Sequence, residues 1–117
     1  MVINMNRKIQ DENIDFLFKA VLKLESLEEC YDFFEDVCTI QELKSISQRL
    51  KVAKLLTEKH VYNYIVEKTG ASTATISRVN RTLNYGNDGY KVIFERLAES
   101  GELNNISGGE ITGKAGK

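Results

Sequence analysis

Three residues, Gly70-Ala71-Ser72, are all that separate two short stretches with helical spacing. A connection that short joins two helices at a large angle, and glycine permits the left-handed backbone that such a turn needs. Ile65 and Val66 lie five and four positions before Gly70, and Ile76 and Val79 lie six and nine after it. At those positions the inner faces of the two helices can close on each other. The outer face of the second helix is then Thr73, Ala74, Ser77, Asn80, Arg81 and Asn84, with Thr75 and Arg78 beside it. The spacing therefore predicts a helix-turn-helix over about residues 59–84.

The rest of the chain reads as helix too. Proline is absent from all 117 residues, which suits uninterrupted helices and disfavours turn-rich β folds. From Asp11 to Leu24, apolar residues at Phe16, Leu17, Ala20, Val21 and Leu24 make a helical stripe, widened by Ile14, Phe18 and Leu22. Ser26 followed by Glu29 is a capping box opening a second helix, with Leu27, Cys30, Tyr31, Phe34 and Val37 on one face. Thr39 and Glu42 form another box, opening a long helix. One side of it carries Ile40, Leu43, Ile46, Leu50, Ala53 and Leu56, a second side Val52 and Leu55, and Thr57 marks its end. A fourth helix is expected from about Lys59 to Thr69, with Val61, Ile65 and Val66 as its apolar side and Gly70 as its stop. Ser72 can cap a fifth helix from Thr73 to about Asn84, and Asn87 or Asp88 a sixth that carries Val92, Ile93, Leu97 and Ala98. The expected class is all-α with six helices. The expected organisation is an N-terminal arm (1–10), one helical domain (11–100) and a glycine-rich flexible tail (101–117).

Composition sets the outer limits. With 42% hydrophobic and 28% charged residues the chain is globular, and 117 residues make one ordinary domain. It has no apolar run long enough for a membrane span and no apolar segment of a secretory signal near Met1. Cys30 and Cys38 are too few for a disulfide framework and read as reduced core thiols of a cytoplasmic protein. The first two helices carry more apolar surface than a small monomer can readily cover. That favours a helical dimer interface over a compact monomer core.

The net charge of −1 conceals a split. Residues 1–38 hold four bases and nine acids, a net of −5, whereas residues 39–96 hold ten bases and five acids, a net of +5. Nucleic-acid affinity depends on the local field, screened over about 8 Å at physiological salt, so an acidic half does not veto a basic one. Two merely solvated surfaces would give the same split.

The outer face of the fifth helix has the chemistry of a DNA reader. Small hydroxyl and methyl groups in its first turn let a helix start approach base edges, where Thr73 and Ala74 can meet thymine methyls. Arg78 and Arg81 lie further along, within reach of phosphate or guanine, and no acid interrupts the face. The plain alternative is an αα-hairpin with a polar outer surface. Other chemistry has little support. His60 is the lone histidine, with no cysteine near it, so no zinc site is expected. Asp32, Glu35 and Asp36 read as a solvated helix face rather than an acid–base pair. With no nucleophile–base pair and no phosphate-cradling loop, the chain is not expected to be an enzyme.

Three segments carry a family resemblance over roughly residues 11–98: Thr39-Ile40-Gln41-Glu42, Gln48-Arg49-Leu50-Lys51-Val52 and Gly70-Ala71-Ser72-Thr73-Ala74-Thr75-Ile76-Ser77-Arg78. The chain resembles the Trp repressor family, in its Trp repressor-like branch of bacterial regulators (the YerC/YecD type). That resemblance implies an intertwined homodimer whose shared core is built from the first three helices and the last. Each half would present its helix-turn-helix to one of two successive major grooves, about 34 Å apart. It implies DNA contacts from Thr73, Ala74, Thr75 and Ser77 to bases, and from Arg78, Arg81 and Lys51 to phosphate. Tyr62 and Asn63 would touch the backbone. It also implies a small-molecule corepressor pocket at Thr39, Arg49 and Arg78. Where the tryptophan-responsive protein has glycine after the recognition-helix arginine, this chain has Val79, whose branched side chain takes space an indole needs. Tryptophan is therefore not the expected ligand. The expected function is a dimeric, sequence-specific transcription regulator acting as a repressor on a two-fold symmetric operator. The alternative is a helical protein-interaction module that keeps the fold without DNA readout.

Overall fold

The computed structural model of the protein describes Arg7 and residues 9–103, and every regular element among them is an α-helix. In order these are α1 (Glu12–Val21), α2 (Leu27–Val37), α3 (Ile40–Thr57), α4 (Tyr62–Thr69), α5 (Thr73–Tyr85) and α6 (Gly89–Glu99). Six helices were expected from the apolar spacing, and six are found in the described residues. The chain divides into two compact units, residues 1–40 and residues 41–117. Most of the expected arm and tail, residues 1–6, 8 and 104–117, lies outside the described residues.

The first unit holds α1 and α2. α1 stops at Val21, short of Leu24, because its end tightens: Lys23 N–H donates to Ala20 O and Leu24 N–H to Val21 O. At the start of α2, Ser26 Oγ accepts from Glu29 N–H at 3.1 Å. The return bond of the box is displaced by one residue, since Glu29 Oε1 accepts from Glu25 N–H at 2.9 Å. Phe33 and Phe34 meet edge to face with centroids 5.3 Å apart. Neither α1 nor α2 buries a single residue.

The second unit has a core. Val52, Ala53 and Leu55 of α3, Ile65 of α4, Ala71 of the turn, Ile76 and Val79 of α5, and Phe94 of α6 are all buried. Burying a side chain of the Val, Ile or Phe kind stabilises a fold by about 1.5–3 kcal/mol relative to leaving it exposed. α3 has two apolar sides, and it is the side with Val52 and Leu55 that α4, α5 and α6 cover. Of the longer stripe only Ala53 is buried, while Ile40, Ile46 and Leu50 are exposed.

The α3–α4 connection differs from the sequence expectation of a helix starting at Lys59. Lys59 is left-handed, with φ 71°. Its N–H donates to Leu56 O and the His60 N–H to Leu55 O, which is a Schellman closure built without glycine. α4 consequently begins only at Tyr62, and Val61 is its exposed N-cap rather than part of its apolar side. Beside this closure lies Glu58, a buried carboxylate. It accepts from Lys54 Nζ at 2.6 Å and faces His60 Nε2 at 3.6 Å, and the His60 ring stacks on Tyr64 at 4.3 Å. A buried charge requires such partners. At the other end of the unit, Gly86 closes α5 where an added Cβ would fall 2.5 Å from Thr82 O. Gly101, at φ 82°, ends α6 and lets Leu103 pack against the core. Among the described residues no helix is long and apolar enough to cross a membrane.

Candidate nucleic-acid interface

The turn between α4 and α5 is pinned from several directions. Gly70 has φ 72°, and its N–H donates to Val66 O at 2.8 Å, closing α4. Thr69 uses its hydroxyl twice, donating to Ile65 O at 2.7 Å and accepting from Ala71 N–H at 3.1 Å. Ala71 is buried, so the turn sinks into the core instead of looping out. Ser72 Oγ accepts from Thr75 N–H at 3.1 Å, the N-cap of α5, and its hydroxyl donates to Thr75 Oγ1. Ile65, Ile76 and Val79 are buried beneath, so the two inner faces close as the spacing predicts.

A firm turn below leaves a defined face above. Thr73, Ala74, Ser77, Arg78 and Arg81 are exposed on α5, and Thr75 and Asn80 are half-buried at its margin. α5 contains no acidic residue. Among the described residues neither Arg78 nor Arg81 forms an ion pair. The face is thus a helix start with small side chains, followed by two guanidinium groups available to an anion. A helix N-terminus adds partial positive charge at its first amides, which favours phosphate there. The remaining residues expected at the interface take different positions. Asn63 is exposed in the first turn of α4, Lys51 is exposed on α3, and Tyr62 is half-buried against the core.

Arg49 and Arg78, expected as effector ligands, come together. They border a cleft of about 220 Å³ with Ser45 and Gln48 of α3 and Ala74 and Thr75 of α5. No carboxylate lines it. Ligand sites for drug-sized molecules usually measure about 300–1,000 Å³, so this cleft suits a small anion better than a bulky aromatic. Val79 lies in the core, 2% exposed, outside the cleft lining. Thr39, the third residue expected there, belongs to the first unit and is exposed.

One contact at the turn escaped the sequence. Gln48 Nε2 donates to Thr69 O at 3.1 Å across 21 residues, tying α3 to the turn. Nothing local in the sequence marks such a bond. Thr69 beside Gly70 was a better clue, because a threonine in the last turn of a helix often bonds back to a carbonyl one turn earlier.

Comparison with known proteins agrees with this geometry. The family model described as Trp repressor protein matches residues 12–98. The chain is 53% identical over 93 residues to the Bacillus subtilis (strain 168) protein YerC, covering 80% of this chain and 89% of that one. The crystal structure of a TrpR-like protein from Eubacterium eligens superposes with a TM-score of 0.76 at 60% identity, covering 84% of this chain and 98% of that one. A proposed Trp repressor from Staphylococcus aureus gives a TM-score of 0.74 at 51% identity, covering 77% and 90%.

Proposed function

This chain belongs to the Trp repressor family, a family of DNA-binding regulators, and from that premise we propose that it is a sequence-specific repressor acting as a homodimer on a two-fold symmetric operator. The observation that carries the reading is the acid-free outer face of α5, with Arg78 and Arg81 unpaired among the described residues and small side chains at its start. Thr73, Ala74, Thr75 and Ser77 meet bases. Arg78, Arg81 and Lys51 meet phosphate, and Tyr62 and Asn63 approach the backbone. Its place of action is the cytoplasm, and its work is occupancy of DNA rather than catalysis.

Support for the homodimer comes from surface left uncovered. α1 and α2 bury no residue, and the second unit has an open groove of about 890 Å³ floored in part by Leu56, Leu83, Phe94 and Ala98. A second copy is the occupant we assign to both. The cleft of Arg49 and Arg78 is the effector site in this reading, with a small carboxylate as its ligand. Millimolar L-tryptophan is expected to leave the melting temperature unchanged, and a saturable rise of several degrees overturns that exclusion.

The test is selection of bound duplexes from a randomised DNA pool at near-physiological salt, with wild type beside the Thr73→Ala/Ser77→Ala double variant. A two-fold symmetric motif enriched only by wild type is the expected result. No enrichment from a folded dimer, with or without a metabolite extract, overturns it in favour of a protein-interaction module. On the enriched duplex, Arg81→Ala is expected to flatten the slope of log K against log salt by about one unit, as loss of one phosphate contact requires.

A further inference from the structure

We infer that Gln48 is the positioning residue that sets the helix-turn-helix against α3. The side chains of Val52 and Leu55 hold α4 and α5 by apolar packing, whose driving force has no direction. A hydrogen bond is directional, and between α3 and the turn the described side chains supply one: Gln48 Nε2 to Thr69 O, 3.1 Å and part-buried. Its acceptor is well placed for control. Thr69 is the last residue of α4, so its carbonyl lies among the four that a helix leaves without an internal partner. The same residue's hydroxyl grips both Ile65 O and Ala71 N–H. Gln48 therefore holds the residue that shapes the turn, one step before the left-handed Gly70.

The other neighbours of Gln48 give this anchor a second consequence. It lines the same cleft as Arg49, Arg78, Ala74 and Thr75, the last two in the first turn of α5. The Gln48 amide has two N–H groups, so one can stay on Thr69 O while the other faces the cleft. An anion seated between the guanidiniums can accept the second N–H while the first stays on Thr69 O. Gln48 thus joins the lining of the cleft to the turn through a single side chain. The duplex readout below rests on the DNA-binding reading; the anchoring of the turn does not.

The experiment uses the full chain as wild type, Gln48→Met and Gln48→Lys. Methionine keeps the length of the side chain and removes the donor, whereas lysine restores a donor. Amide hydrogen exchange at residues 69–73 reads the anchor without DNA. Gln48→Met is expected to lower protection there by about fivefold to tenfold, the worth of one such bond, with unchanged protection in α6, and Gln48→Lys to recover most of it. Equal protection in wild type and Gln48→Met overturns the inference, as does a uniform loss that extends to α6. The second readout is affinity for the selected duplex against affinity for random duplex. Gln48→Met is expected to weaken the first by about fivefold to tenfold and leave the second and its salt slope unchanged. Parallel loss on both duplexes overturns the positioning role. If wild type selects no duplex, the DNA reading fails and the exchange measurement still decides the anchor.

Discussion

α1 and α2 carry Phe16, Phe18, Leu27 and Tyr31, large apolar side chains that are all well exposed, and bury none. The stretch from α3 to α6 carries side chains of the same kind and buries eight apolar residues, Ile65 and Ile76 among them. The difference is not one of composition. It is whether the helices of the unit enclose a volume. A pair of short helices cannot surround an interior, whereas four can, and the tight turn at Gly70 forces two of the four into mutual contact. One unit is thus a finished core carrying a polar, acid-free face on α5. The other is an apolar surface waiting for a partner, and we propose a second copy for it.

The strongest way to break this comparison is to open the finished core. Ile65 is fully buried, so Ile65→Ala is expected to destabilise the protein by about 2–5 kcal/mol, the cost of lost transfer energy plus a cavity. Urea unfolding followed by far-ultraviolet circular dichroism measures it. A loss below 0.5 kcal/mol, on the order of an ordinary surface substitution, means that the second unit is not the stable half.

The complementary substitution is Phe16→Asp in α1, where the ring is 75% exposed. It removes no core contact within the described chain. If a second copy covers this surface, the dimer dissociation constant is expected to rise about 30-fold, the effect of losing a contact worth about 2 kcal/mol. Sedimentation equilibrium over a range of concentrations reads that change. A dissociation constant that does not move shows that α1 faces solvent, and the contrast between the units is then one of order rather than of assembly.

How much of this was legible in the sequence follows the same division. The α4–turn–α5 arrangement was legible because it is local: Gly70, Ser72, Ile65, Ile76 and Val79 lie within about five turns of helix and took their expected roles, whereas Val61, expected on the apolar side, is exposed. The side of α3 that packs was not. Both its sides are apolar, and periodicity cannot say which one meets α4 and α5. The site was legible in the same proportion. The exposed row from Thr73 to Arg81 follows from helical periodicity, and so does its freedom from acids. The meeting of Arg49 with Arg78 came only through the family resemblance, and the Gln48–Thr69 bond came through nothing, since a separation of 21 positions carries no trace of it.

The start of α4 at Tyr62 instead of Lys59 has a physical reason, and that reason makes a last, smaller prediction. α1 ends on a right-handed residue, Leu22, and α2 on an extended one, Cys38. In the second unit, α3, α4 and α6 each close through a left-handed residue, at φ 71°, 72° and 82°. Two of these are Gly70 and Gly101, whose stops glycine makes visible in a sequence. The third is Lys59, and lysine is a helix former that gives no such signal. A residue with a Cβ bears about 1–2 kcal/mol in the left-handed region, whereas glycine bears none there. Glycine in turn loses more backbone freedom on folding, about 0.5–1 kcal/mol. The difference leaves Lys59→Gly stabilising by about 0.5–1 kcal/mol. An upward shift of the urea midpoint at constant slope checks it. A downward shift means that the lysine stem supports the α3–α4 turn by packing, and that the stops of the second unit are not equivalent after all.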